Sequence, residues 1–227
     1  MSFQTLHEEI VERNKTIIKE KGKKAWFRYF IGYYKWQLLL VLLLTVFIIH
    51  CIVNAVTRKD TVLQVSFVNG TTTLTEEEFM ADFPSFSGMN EKKEEALLDT
   101  SLVIDTENFS ALDRQYVDKL YLMCSTGSVD VCITDESFFP TLADSGYLLD
   151  LRELFSEEEM EELSGRILSY ESSHNDYEGS QPVGIDVSDS PFLKKTSSFP
   201  YEKAYFCVIV SSRHKDYAKS FYRYLYR

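Results

Sequence analysis

From Leu38 to Val56 the chain reads LLLVLLLTVFIIHCIVNAV, 19 residues without a formal charge. As a helix rising about 1.5 Å per residue, this run spans roughly 28 Å, close to the hydrocarbon thickness of a bilayer. Only Thr45, His50 and Asn54 interrupt it, the last two toward one end. A helix of a soluble core is seldom apolar on every side. The aromatic block just before the run, Trp26, Phe27, Tyr29, Phe30, Tyr33, Tyr34 and Trp36, is of the kind that settles at headgroup level. The sequence therefore predicts a transmembrane helix over residues 37–57, with the lipid bilayer as its first partner.

Charge sets the expected orientation. Before the span, eight cations (Arg13, Lys15, Lys19, Lys21, Lys23, Lys24, Arg28 and Lys35) face four glutamates, a net +4; the remaining 16 Lys+Arg and 31 Asp+Glu lie beyond it, a net −15. By the positive-inside rule, residues 1–36 form a cytoplasmic tail and residues 60–227 an acidic extracytoplasmic domain, in a single-pass protein of the cell membrane. A cleaved signal peptide fits poorly, because its apolar region is shorter and follows a short basic start. A lipoprotein reading fails on Ile48-Ile49-His50, since small residues belong before an acylated Cys51. The segment reads as an uncleaved signal-anchor.

In the tail, Leu6, Ile10, Val11, Ile17 and Ile18 suggest a weakly amphipathic helix over 4–21 ended by Gly22. The basic aromatic stretch 23–36 either lies on an anionic inner leaflet or only sets topology. With 44% hydrophobic residues, 9 Gly and 5 Pro, the chain is neither collagen-like, low-complexity nor wholly disordered. Four Cys exclude a disulfide-dense scaffold, and the acidity argues against a nucleic-acid partner.

The outer residues alternate strand and helix signals. Val62–Val68 reads as a strand closed by Asn69-Gly70, and Thr75-Glu76-Glu77-Glu78 has capping-box form. Ser101–Asp105 reads as a second strand. Ser110 caps a helix carrying Leu112, Tyr116, Leu120 and Met123 on one stripe and ending at Gly127. Val129–Thr134 is a third strand, followed by a helix over 135–145 that Pro140 bends or delays. Ser156-Glu157-Glu158-Glu159 forms a second capping box, 169–181 a polar loop, and Val183–Val187 and Ala204–Val210 two more strands. A last helix carries Tyr217, Phe221, Tyr224 and Leu225. Such alternation predicts an α/β fold with a largely parallel sheet and covering helices.

Two stretches, Gly127-Ser128-Val129-Asp130-Val131-Cys132-Ile133-Thr134-Asp135 and Leu142-Ala143-Asp144-Ser145-Gly146-Tyr147-Leu148-Leu149-Asp150-Leu151, resemble the first lobe of bacterial extracellular solute-binding proteins of the type 2 periplasmic-binding class. Pro182–Asp186 is similar to the strand by which that family's chain returns to its first lobe, and Val208–Tyr224 to a late strand and helix. The tail and span resemble membrane-anchored relatives in Gram-positive bacteria. The resemblance implies a solute-binding lobe attached to a transport system. Members usually have two lobes, whereas residues 152–181 are too few for a second one. What is expected is a truncated, one-lobe form.

Ligands of open parallel sheets bind off the carboxyl ends of strands. That edge is expected to carry Asn69, Asp105, Asp135, Phe138, Asp186, Ser188 and Asp189, where Asp residues could hold a cation or an amine-bearing solute. The same Asp residues would serve equally as caps of turns and helices. No calcium loop, zinc ligand spacing, nucleophile elbow or phosphate loop occurs, so no metal, no cofactor and no enzymatic activity is expected. His174 sits in the polar loop, away from any nucleophile. Asn69-Gly70-Thr71 and Asn108-Phe109-Ser110 fit the glycosylation pattern, which the bacterial resemblance sets aside. Cys132 and Cys207 read as small mid-strand hydrophobes, with a Cys124–Cys132 bridge left open. Lys215, Lys219 and Arg223 form a basic stripe, read as a solvated face or a contact to an anionic surface.

Two roles follow: a non-enzymatic solute-sensing or transport-accessory module, or a structural subunit that binds another membrane protein. If strand-end carboxylates converge on an aromatic-walled concavity, the first gains; if they are dispersed, the second does. The anchor is checked with tags on both termini and alkaline extraction of membranes. Both tags are expected on one band in the pellet, and a shorter soluble product carrying only the C-terminal tag would contradict an uncleaved anchor.

Overall fold

The computed structural model describes residues 3–171, 179–199 and 203–227. The chain divides into two compact units, Met1–Arg58 and Lys59–Arg227. In the first, helix α1 runs unbroken from Phe3 to Thr57. The break expected at Gly22 does not occur: a glycine inside a helix costs about 1 kcal/mol against alanine but blocks no hydrogen bond. The amphipathic tail face cannot be followed, because the side chains of Leu6, Ile10 and Ile17 lie outside the described ones, as do those of Trp26 and Tyr29.

The apolar part of α1 suited to crossing a membrane covers Phe30–Asn54, starting earlier than the expected 37–57. Its polar residues find partners within the helix. Thr45 donates to the Val41 carbonyl at 2.8 Å, and the His50 Nε2 and Asn54 Nδ2 atoms lie 3.0 Å apart one turn along. Hydrocarbon offers no other partner, so this is what a span requires. Leu43 and Phe47 are 61% and 63% exposed. A stripe of that kind needs lipid or another apolar surface, consistent with a membrane anchor or a signal segment.

The second unit is an α/β domain on one six-stranded sheet. Its strands are β1 (Asp60–Val68), β2 (Glu94–Leu102), β3 (Val131–Asp135), β4 (Ile167–Tyr170), β5 (Gln181–Asp186) and β6 (Ala204–Val208), in spatial order β2-β1-β3-β6-β5-β4. β1 pairs in parallel with β2 and β3, but the β3/β6, β6/β5 and β5/β4 pairings are antiparallel. The sheet is therefore mixed, not largely parallel. The connection over 171–180 is shorter than the dozen or more residues a parallel crossover takes. Between β5 and β6 the only helix among the described residues is α7 (Pro191–Lys195), whose five residues advance roughly 7.5 Å and do not carry the chain back to the far edge.

Helices α2 (Glu76–Met80), α3 (Phe83–Ser87), α7 and α8 (Lys215–Tyr224) cover one face. There Leu63, Val65, Phe67, Ile133 and Phe206 meet Phe79, Phe83, Phe192 and Phe221 in one core. Phe67 packs edge-on to Phe79, with ring centroids 5.5 Å apart. On the other face lie α4 (Ala111–Thr126) and α5 (Phe139–Asp144), where Leu120, Cys124, Phe139 and Leu142 meet Val68, Cys132 and Cys207. A 3₁₀ turn at Leu151–Glu153 and helix α6 (Glu157–Glu162) complete the domain.

Local signals set several element ends. Thr75, Ser110 and Ser156 each close a capping box, with Glu78, Asp113 and Glu159. Gly127 ends α4 at φ 67°, in the left-handed region. Pro140 falls in the first turn of α5 and delays its start. Three expectations are corrected. The second strand is 94–102, not 101–105, because the Ile104 N–H goes to Asn69 Oδ1 at 2.6 Å and the Asp105 N–H to Asp113 Oδ1 at 2.9 Å instead of to a ladder. The buried side of α4 is Asp113, Leu120 and Cys124, while Leu112 is 55% exposed. Strand β4 begins before the expected 169–181 loop, most of which, with His174, lies outside the described residues.

Phe67 has no exposed surface, whereas Leu122 is 64% exposed. Phe67→Ala is expected to cost about 3–5 kcal/mol, and Leu122→Ala under about 0.5 kcal/mol. Urea unfolding followed by tyrosine near-ultraviolet dichroism checks this, since both tryptophans precede the domain. Equal losses would contradict the core assignment.

Candidate functional site

β1, β2, β3 and β5 run in one direction, so their carboxyl ends share one edge of the sheet. The anticipated residues there are engaged with different partners. Asn69, at φ 59°, accepts the Ile104 N–H on its side-chain amide oxygen. Asp105 accepts from the backbone of Asn108 at 2.8 Å and of Glu107 at 2.9 Å, and these bonds hold its carboxyl below the usual range. Asp135, buried, accepts from Ser137 Oγ at 2.6 Å and Phe138 N at 3.2 Å. Phe138 is buried in the core.

Asp186 accepts from Ser188 N at 2.9 Å and Ser188 Oγ at 2.5 Å, while Ser188 Oγ also accepts from Ala204 N at 3.0 Å. Asp189 belongs to another cluster, bonded to Arg166 at 2.6 Å and to the Tyr226 hydroxyl at 2.7 Å. Asp135 and Asp186 end on β3 and β5 with β6 between them. Asp105 belongs instead with Asp113, whose carboxyl the Ser110 hydroxyl and neighbouring N–H groups hold low. The residues share an edge but form separate turns. Over β1 that edge is closed, since a Cβ on Gly70 would come within 2.3 Å of the Phe199 ring.

A buried carboxylate that sequence reasoning treated only as part of a strand motif proves structural. Asp130 accepts from Gln64 N at 2.8 Å and Ser212 Oγ at 2.6 Å, with His214 Nδ1 3.8 Å away. It fastens β1 to the turn after β6. The four cysteines are free. Cys132 and Cys207 are direct cross-strand partners, a proximity that spacing could not reveal. Ser66, beside Cys132 in register on β1, has a buried hydroxyl without a partner among the described residues. Burial pushes the Cys124 thiol up to about 12 and raises Cys132 and Cys207 as well, so none supplies a thiolate near neutrality.

The basic stripe of α8 faces acids of its own domain. Lys215 reaches Glu153 at 3.0 Å, Lys219 reaches Glu159 at 2.6 Å, and Arg223 reaches the same carboxylate at 2.9 Å. The stripe thus remains a partly solvated face, as expected from sequence, with its cations paired to acids of the same domain.

Depressions among the described residues of the second unit include two. One, of about 560 Å³, is lined by Tyr121, Pro140, Thr141, Asp144, Ser145, Tyr147 and Tyr170. The other, of about 410 Å³, runs along β2 beneath α2 and has a strongly acidic rim. No group of His, Cys, Asp and Glu among the described residues is arranged to hold a metal ion. No family model, curated protein or solved structure matches the chain.

Glu159 generates a pH prediction. The hydrogen bond from Lys219, then that from the Ser156 backbone and a further one from Arg223, lower its carboxyl to about 2 from 4.5. A lowered folded-state value means the stabilisation is complete above about pH 4.5 and fades as pH falls through about 2. Glu159→Gln is expected to cost about 1 kcal/mol at pH 7, small because the site is partly exposed. The two proteins should converge by pH 2; an undiminished gap there would refute the linkage.

Proposed function

We propose that the protein is a single-pass membrane-anchored module, tail in the cytoplasm and acidic α/β domain outside, which works by contact with another protein. The +4 tail and −15 outer part support this orientation. The observation that carries the contact role is the dispersal of the strand-end side chains. Asp105, Asp135 and Asp186 each take hydrogen bonds from within four residues of their own turn, so their carboxylates are turned to separate local loops and not toward one shared solute. The role is non-enzymatic on this reading.

A second reading, solute sensing as an accessory of transport, draws on one specific feature: the tyrosine-lined hollow. Its volume falls within the range of small-molecule sites, and three phenol rings beside Thr141 and Ser145 suit a polar, flat-faced solute such as a saccharide.

The two readings separate in one pair of measurements. Cross-linking in intact cells is expected to give a discrete adduct with a second membrane protein through the outer domain. Thermal unfolding of the full chain in nonionic detergent is expected not to shift with amino acids, sugars or divalent ions. A stabilisation that rises with free ligand and is abolished by Tyr147→Ala would overturn the contact reading in favour of the hollow.

A further inference from the structure

Five consecutive residues of β2, Glu94, Glu95, Ala96, Leu97 and Leu98, line the acidic groove. Successive side chains of a strand point to opposite faces. A groove touched by all five therefore runs along the strand's free edge and not over one face of the sheet. β2 pairs with β1 alone and is the outermost strand. The Glu94 N–H is taken by the Asn90 carbonyl at 2.8 Å, and beyond it the outward N–H and C=O groups are open to a further strand. Glu76 marks where the opening ends, because its carboxylate accepts from Thr100 N at 3.1 Å.

The floor is apolar and the rim is anionic. Met80, Ala81, Pro84, Ala96 and Leu98 form the floor, and Leu97 at the lip is 41% exposed. Glu76, Glu77, Glu91, Glu94 and Glu95 surround it, and Lys59 is the only cation among the described residues that line it. Lys92 and Lys93 stand in the preceding turn, outside the lining. On α8 the acids are matched by Lys and Arg of the same domain; here five carboxylates meet one ammonium. They are spread along the strand, and the described residues hold no acidic group set to take a metal ion, which suits an extended cation. Charge disfavours a second copy, because two edges meeting would bring together two rims that each carry five glutamates and one lysine.

We infer that the free edge of β2 and its groove receive an extended basic segment of a partner protein, which adds a strand to the sheet and sets its Lys or Arg side chains against the glutamate rim. This deepens the contact role proposed above and rests on it. Main-chain hydrogen bonds to β2 would supply affinity, and the glutamates would select for cationic side chains. Lys59 opens the groove one residue before β1, immediately after Thr57 ends α1.

The probe is an acetylated peptide of alternating Lys and Val, applied to the full chain in nonionic detergent. Its control carries the same charge but is N-methylated at alternate amides, which blocks strand pairing. The Lys-Val peptide is expected to bind and to slow amide exchange over residues 94–98. Affinity should fall at least about tenfold with the methylated peptide and in the Glu77→Lys/Glu91→Lys variant. Retained tyrosine dichroism of that variant shows that it is folded. Equal binding of both peptides, protection outside β2, or no binding by the folded chain would each overturn the proposal. If intact-cell cross-links form but map away from residues 76–98, the contact role stands and the β2 site falls.

Discussion

β1 is the element on which the domain depends. It is buried on both faces, it joins β2 to β3, and it brings Phe67 into the aromatic core formed with Phe79 and Phe199. It also starts directly after the apolar helix, with only Arg58 and Lys59 between Thr57 and Asp60. A strand buried on both faces must pair on both sides to satisfy its backbone. Anything that releases β1 therefore releases both halves of the sheet. Asp130 ties β1 to the turn after β6, through its bonds to Gln64 N and the Ser212 hydroxyl.

Much of this was legible wherever the signal was local. The capping boxes at Thr75 and Ser156, the cap at Ser110, the left-handed stop at Gly127 and the buried aromatic face of α8 follow from spacing of a few residues, and the structure carries them where the sequence put them. What was not legible depended on partners distant in sequence. The direction of β6 against β5 follows from the shortness of α7, and short helices give no periodicity to read. The stripe chosen on α4 was turned by about one residue, because Leu112 and Cys124 look equally apolar in sequence and only docking on the sheet tells them apart. The α8 cations had acidic partners some 60 positions away on the 3₁₀ turn and α6.

The candidate site divides in the same way. Topology does bring the carboxyl ends of four strands to one edge, as an open sheet should. Yet Asp and Asn at strand ends are also the residues that close turns, and here the turns hold them. The surface that stands out lies elsewhere, along edge strand β2, where outward backbone groups beyond Glu94 lack a neighbouring strand and carboxylates outnumber cations among the lining residues, although Glu76, Glu94 and Glu95 also accept hydrogen bonds of their own. An acidic rim also keeps such an edge from pairing with copies of itself. One feature thus serves both protection and selection of a partner.

The account turns on β1 being sealed between β2 and β3 and on β2 being an open margin of the sheet. Native-state amide exchange on the full chain in detergent measures this directly. Amides of β1 and β3 are expected to exchange only through global opening, while alternate amides over residues 94–98 exchange orders of magnitude faster. If every amide of β2 proved as protected as those of β1, the margin would be closed and the account contradicted.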